Sequence, residues 1–287
     1  MIAYCFSLCP CMLWSLLQLH GWWRERVSPQ KSVDNCVQMV YNDAQEVKRM
    51  YDNIEYSSSD ELCEKMAKEC DTCLLAFSLG KDSVASWLQC RKYFKHVIPF
   101  YKYNIPNLEF VEDNLQYYED FFGQHIYRMP HPNLYAMLYG GVAQTPTTIQ
   151  LIDAEPDEFI KPSDYTNEDV TEIIRYLKEL PDTVYTAVGL RVADSPMRRM
   201  NFKAHGAIIH NKQSFYPVYD WLKDRLLREF DEAGVKLSSD YRLWNNSFDG
   251  ISNKYISQIR KYYPRDYEKI KMFFPMVDLD IMRRELD

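Results

Sequence analysis

Apolar positions along this chain switch repeatedly between helical and strand spacing. Met39, Val40, Ala44, Val47, Met50 and Tyr51 recur every three or four residues, which predicts a helix, and Ser57-Ser58-Ser59-Asp60 offers caps for a second helix through Lys68. Thr72-Cys-Leu-Leu-Ala-Phe77 is a short unbroken apolar run, as expected of a strand buried on both faces of a parallel sheet. It ends in Ser78-Leu79-Gly80-Lys81-Asp82-Ser83, after which Val84, Trp87, Leu88 and Tyr93 form a helical face and His96 to Tyr103 reads as the next strand.

The alternation continues. A helix is predicted from Pro106-Asn107-Leu108-Glu109 to about Phe122, a strand from His125 to Met129, a helix from Asn133 to Val142, an amphipathic helix from Asn167 to Leu180 stopped by Pro181, and a buried strand over Val184 to Val188. Strands alternating with helices imply an α/β fold with a doubly wound, mostly parallel sheet and right-handed crossovers. In such sheets ligands bind beyond the carboxyl ends of the strands, where the strand order reverses. From Ser238 the chain is Tyr-rich and helical, broken by Pro264 and Pro275, and reads as a helical extension packed on the sheet domain. The domain reading is therefore 1–38 as a poorly ordered or over-extended N-terminal segment, 39–237 as the α/β domain with its N-terminal helices, and 238–287 as the C-terminal extension.

Composition narrows the function classes. At 287 residues, with 46% hydrophobic and 26% charged positions, the chain has the make-up of a folded globular protein. A net charge of −7 argues against autonomous binding to nucleic acid, so any anion site is local. The stretch from Ile2 to Leu19 is apolar, but no Lys or Arg precedes it and Pro10 interrupts it, so a membrane anchor is not expected. All eight cysteines, Cys5, Cys9, Cys11, Cys36, Cys63, Cys70, Cys73 and Cys90, fall in the first third, which suits a reducing cytoplasm better than a disulfide framework. Cys70-x-x-Cys73 lacks a second pair at metal-site spacing, and G-x-S-x-G is absent. His205 and His210 read as surface or core histidines.

Two loops carry the chemistry. A strand entering a Ser/Gly turn and then a helix aims backbone N–H groups and the positive helix end at one spot. In Ser78 to Ser83, Gly80 permits close approach of an anion, Ser78 and Ser83 offer hydroxyls and Lys81 adds charge, although the Walker pattern is absent. Asp82 is either a first-turn cap or a Mg²⁺ ligand if the bound molecule is ATP. The second loop, Gly189-Leu190-Arg191-Val192-Ala193-Asp194-Ser195-Pro196-Met197-Arg198-Arg199, places three guanidiniums within nine residues at a strand mouth. Such a cluster suits bidentate recognition of phosphate or sulfonate oxygens, or else is a solvated run paired with surface carboxylates.

Phe77-Ser-Leu-Gly-Lys-Asp-Ser83 resembles the S-G-G-K-D-S loop of the adenine nucleotide alpha-hydrolase superfamily, whose fold is Rossmann-like. The arginine loop, with Phe215-Tyr-Pro-Val-Tyr-Asp-Trp221, is similar to segments of phosphoadenosine phosphosulfate (PAPS) reductases, most of all the PAPS reductase-like proteins often encoded by bacteriophages. The resemblance implies an adenine nucleotide, PAPS or ATP, across the sheet's carboxyl edge. Its phosphate or sulfate end would lie in the Ser78, Gly80, Lys81, Ser83 loop, clamped by Arg191, Ser195, Arg198 and Arg199, with Tyr103 and Asn104 at the adenine or ribose. Lys81, Asp82 and Arg191 would be catalytic. Asp220 and Trp221 would either close the pocket or serve as a helix cap and a core indole.

Leu79 departs from the family loop, and the family's C-terminal nucleophilic cysteine is missing, since no cysteine follows Cys90. Cys70 and Cys73 are poor substitutes, because five strand residues put Cys73 roughly 16 Å from the anion loop. Three readings follow: sulfonucleotide reduction or sulfur transfer with an external thiol, as from a thioredoxin-like partner or the N-terminal cysteines; ATP pyrophosphatase-type adenylation with Mg²⁺; or a nucleotide-sensing subunit working with a partner, such as a protein acting on DNA.

Overall fold

The computed structural model describes residues 56–153 and 164–279. The chain divides into two compact units, Met1–Asn53 and Ile54–Asp287, and every described residue belongs to the second. The helix expected from Met39 and the apolar stretch from Ile2 lie outside the described residues. Among the described residues no helix is long and apolar enough to cross a membrane.

Helix α1 (Ser59–Glu69) begins where the serine run predicts, with the Ser58 hydroxyl accepting from Glu61 N. Then follow β1 (Thr72–Phe77), α2 (Lys81–Tyr93), β2 (His96–Tyr103), α3 (Glu109–Phe122), β3 (Tyr127–Pro130), α4 (Pro132–Tyr139) and α5 (Pro146–Asp153). Helix α6 (Asn167–Leu177), opened by a Thr166/Asp169 capping box, leads to β4 (Thr186–Val188). A 3₁₀ turn, Val192–Asp194, precedes α7 (Pro196–His205). Two short strands, β5 (Ile208–Ile209) and β6 (Ser214–Phe215), come before α8 (Lys223–Ala233), α9 (Asp240–Trp244), α10 (Asn253–Tyr262) and α11 (Pro264–Phe273).

The six strands form one sheet in the order β3-β2-β1-β4-β6-β5, parallel except for the β5/β6 pair. This α/β architecture is consistent with a Rossmann-like fold. The order reverses at β1, so the loops leaving β1, β2 and β4 lie side by side at one edge, neighbouring strands being about 4.8 Å apart. One sheet face packs Leu74, Phe100 and Met129 against Val170 and Ile174 of α6. On α2, every residue from Ser83 to Cys90 is buried, and Trp87 stacks on Phe122 at 3.9 Å between centroids. Burying such side chains contributes roughly 1.5–3 kcal/mol each, which fixes α2 rigidly behind its loop.

Several boundaries differ from expectation: β4 spans Thr186–Val188, shorter than the expected Val184 to Val188, and α4 ends at Tyr139, short of Val142. The third strand starts at Tyr127 instead of His125. Helix α6 ends at Leu177 because Glu179 turns left-handed (φ 52°) and Leu180 N–H folds back to the Arg175 carbonyl. The edge hairpin of β5 and β6 has two residues per strand, too few for a periodic signal.

Candidate functional site

The two loops singled out in the sequence meet. A Cβ placed on Gly189 would lie 2.7 Å from both Asp82 C and Ser83 N, so the chain leaving β4 passes directly against the first turn of α2 and only glycine fits there. From that contact the Arg191 side chain reaches into a five-membered ionic network. Its Nε lies 2.7 Å from Asp82 Oδ1, one terminal nitrogen 2.5 Å from Asp194 Oδ1, and the other 3.4 Å from the Trp221 carbonyl. Lys81 Nζ is 3.1 Å from Asp82 and 3.8 Å from Asp194. Arg198 is 2.6 Å from Asp194 and 3.7 Å from Asp82.

Exposure sorts these groups. The Arg191 side chain is 6% exposed and Asp82 13%, whereas Lys81 and Arg198 are 36% and 38% exposed. Arg191 therefore has every guanidinium nitrogen engaged inside the protein and fastens the β4 loop to α2. Lys81 and Arg198 stand at the mouth, where an incoming anion can reach them. Burial opposes ionisation of Asp82, but Arg191 and Lys81 outweigh it and hold the carboxyl below the usual carboxylate range. For Asp194, burial and the adjacent Asp82 carboxylate prevail over Arg191 and push the carboxyl upward.

The β1 loop is held from within. Ser83 Oγ donates to the Gly80 carbonyl at 2.8 Å and accepts from Ser78 N at 3.1 Å, so Ser83 staples the turn. Leu79 adopts φ 59° with its side chain 1% exposed, so the departure from glycine places a left-handed leucine in the core. Such a conformation costs about 1–2 kcal/mol, which the buried side chain offsets. Among the described residues, the N–H groups of Leu79, Gly80 and Asp82 hold no hydrogen bond, and that of Lys81 donates to the Tyr241 hydroxyl at 2.9 Å.

The remaining predicted residues fall into place around this centre. Ser195 caps α7, accepting from Arg198 N at 3.2 Å and so orienting the helix that carries Arg198. Arg199, about 100° further round α7, has no side-chain partner among the described residues. At the end of β2, Tyr103 is partly buried, and the Asn104 amide oxygen is buried with no hydrogen-bond partner among the described residues. Asp220 and Trp221 do not close the pocket. Asp220 accepts from Ser59 N at 3.0 Å at the start of α1, and the fully buried Trp221 indole donates to Ser59 Oγ at 3.2 Å.

A Mg²⁺ ion does not fit at Asp82. Both carboxylate oxygens are already in ion pairs, three cationic side chains lie within 4 Å, and no group of three metal-ligating side chains occurs among the described residues. The described cysteines do not serve the site either. Cys73 sits near the amino end of β1, and burial pushes the Cys63 and Cys90 thiols well above their ordinary range. A cleft of about 280 Å³, lined by Thr72, His96, Tyr127 and Lys178 among others, lies at the amino ends of β1 to β3, the opposite edge of the sheet.

Local sequence reading did not find Asp194 as a partner of the arginines, nor Tyr241 over the loop. Asp194 lies within the quoted motif and three residues from Arg191, so its spacing was an available signal; Tyr241 is 160 residues from Lys81 and left none. Compared with known proteins, the chain matches no family model and no curated protein.

Proposed function

We propose that the chain belongs with the adenine nucleotide alpha-hydrolases and binds an adenine sulfonucleotide of the PAPS class, acting in sulfonucleotide reduction or sulfur transfer with a thiol supplied by a thioredoxin-like partner. The observation that carries this reading is the contact of the β1 and β4 loops through Asp82 and Arg191, beside the N–H groups of Leu79, Gly80 and Asp82 that hold no bond among the described residues. Lys81 and Arg198 receive the sulfate or phosphate end, together with the free N–H groups of the loop and the Ser78 hydroxyl. Arg191 and Asp82 position the two loops instead of touching the ligand. Ser195 orients Arg198, Arg199 adds long-range attraction, and Tyr103 and Asn104 face the nucleoside.

The reading favours a sulfonucleotide over Mg²⁺-bound ATP, because the acids of the site are already neutralised by protein cations and the network carries one net positive charge, from three cations and two carboxylates. That balance suits a singly charged sulfate end. The described Cys63, Cys70, Cys73 and Cys90 are all free thiols, which supports a cytoplasmic setting.

The test is turnover with defined donors. Sulfite release from PAPS in the presence of reduced thioredoxin is the expected result. Pyrophosphate release from ATP and Mg²⁺ would move the assignment to adenylation, and nucleotide binding without either product would identify a sensing subunit.

A further inference from the structure

The C-terminal extension crosses the anion loop in a way that the loop sequences alone do not call for. A Cβ built on Gly80 would lie 3.2 Å from Ser78 Oγ, 3.5 Å from Ser247 Oγ and 3.9 Å from the Tyr241 hydroxyl. Three hydroxyls, two of them from a segment more than 160 residues downstream, thus close in on the face of Gly80 where a side chain would otherwise stand. Ser78 Oγ donates to Ser83 Oγ at 3.3 Å, a long bond that a ligand oxygen would replace, and the other two hydroxyls have protons to spare. The Tyr241 oxygen accepts from Lys81 N, and no bond made by its proton occurs among the described residues. No hydrogen bond to Ser247 Oγ occurs among them either.

The segment is held there firmly. Asp240, 1% exposed, accepts from Phe248 N and from the Asn114 side chain on α3, both at 3.0 Å, closing 240–248 into a tight loop. Ser239 N–H donates to Asn114 Oδ1 at 2.9 Å. At the far end, the position of a Gly250 Cβ is 3.9 Å from Asn104 Nδ2, so the same segment runs from the anion loop to the end of β2.

We infer that Tyr241 and Ser247 are ligand-binding residues that complete, with Ser78, a hydroxyl cradle over Gly80 for the tetrahedral oxyanion end of the nucleotide. The inference rests on the function proposed above. Hydroxyls donate to oxyanions without adding charge, so the cradle orients the group while Lys81 and Arg198 supply attraction. In the liganded state the Tyr241 proton and the Ser247 proton each gain an oxygen acceptor, and the Lys81 N–H is shared between the phenol and the ligand.

Calorimetric titration of full-length Tyr241→Phe and Ser247→Ala with PAPS, inorganic sulfate and adenosine tests this, with Lys81→Ala alongside. Each hydroxyl deletion should weaken PAPS and sulfate about 2- to 10-fold, as loss of one hydrogen bond implies, and leave adenosine, which lacks the anionic end, unchanged. Unchanged or tighter PAPS binding in both variants overturns the cradle, as does equal weakening of adenosine, which would mark the segment as structural. If Tyr241→Phe fails to fold, Ser247→Ala decides alone by the same criteria. Should Lys81→Ala also bind PAPS normally, the underlying anion site fails as well; weakening by Lys81→Ala alone sinks only the cradle.

Discussion

Two helices, α2 and α3, start at the same sheet edge, yet their first turns are completed in opposite ways. At α3 the N–H groups of Glu109 and Phe110 donate to Asp266, at 2.7 and 3.1 Å, and that carboxylate is 1% exposed, with Lys269 at 3.2 Å. The fold has supplied its own anion to the positive helix end. At α2 the Lys81 N–H meets only a neutral phenol, neighbouring N–H groups hold no bond among the described residues, and Lys81 and Arg198 stand outward. One helix start is closed by an internal oxyanion; the other has the same polarity and extra cations but lacks one. The difference supports the proposal that α2 receives an anion from outside.

Replacing the internal anion should have the largest effect. Asp266→Ala strips two charge-assisted bonds from buried N–H groups and should lower unfolding free energy by about 3–4 kcal/mol in urea titration, while PAPS affinity stays near wild type. A loss of affinity without loss of stability would erase the distinction between the two helices.

The pH response sharpens the α2 side. Burial raises the Asp240 carboxyl to about 6, above its unfolded value near 3.8, so its stabilising contribution is fully present below about pH 4 and is lost as pH rises through about 6. At 1.4 kcal/mol per unit this amounts to at most about 3 kcal/mol, and Asp240→Asn should flatten the corresponding slope in denaturation curves between pH 4 and 6. An unchanged slope would remove Asp240 from that role.

Gly189→Ala comes next. Its methyl must displace the α2 backbone, at a cost of about 1–3 kcal/mol, and PAPS affinity should fall together with stability because the two loops separate. The smallest effect is expected at Leu79, where Leu79→Gly relieves about 1–2 kcal/mol of left-handed strain and forfeits about 2–5 kcal/mol of buried side chain. A net loss of roughly 1 kcal/mol or more by urea titration is expected; a net gain would show that the leucine contributes little to the core.

How much of this was legible depends on the range of each interaction. The continuous apolar run of β1 and the periodic faces of α3 and α6 were readable because their burial repeats locally along the chain, whereas α2 buries every residue from Ser83 to Cys90, polar ones included. The Ser78–Ser83 turn and the Arg191–Arg199 segment were readable as loops with chemistry, and parallel topology brought them to one edge. What local pattern could not reveal was the division of labour among the arginines, since Arg191 and Arg198 differ only in the depth to which tertiary packing carries them. Nor could it reveal Asp266, Tyr241 and Ser247, whose partners lie more than 150 residues away and leave no periodic trace. The two-residue strands of the edge hairpin are shorter than one alternation can register.

Whether the outward cations at the start of α2 bind an oxyanion from solution is decided by calorimetric titration of PAPS into wild type and Lys81→Ala. Lys81 makes only partly exposed ion pairs, so its loss should change stability by less than about 1 kcal/mol. The variant should bind PAPS about 10- to 150-fold more weakly, the value of a charge-assisted hydrogen bond. Equal affinity in the two proteins, or no binding to either, would contradict that role for the cations.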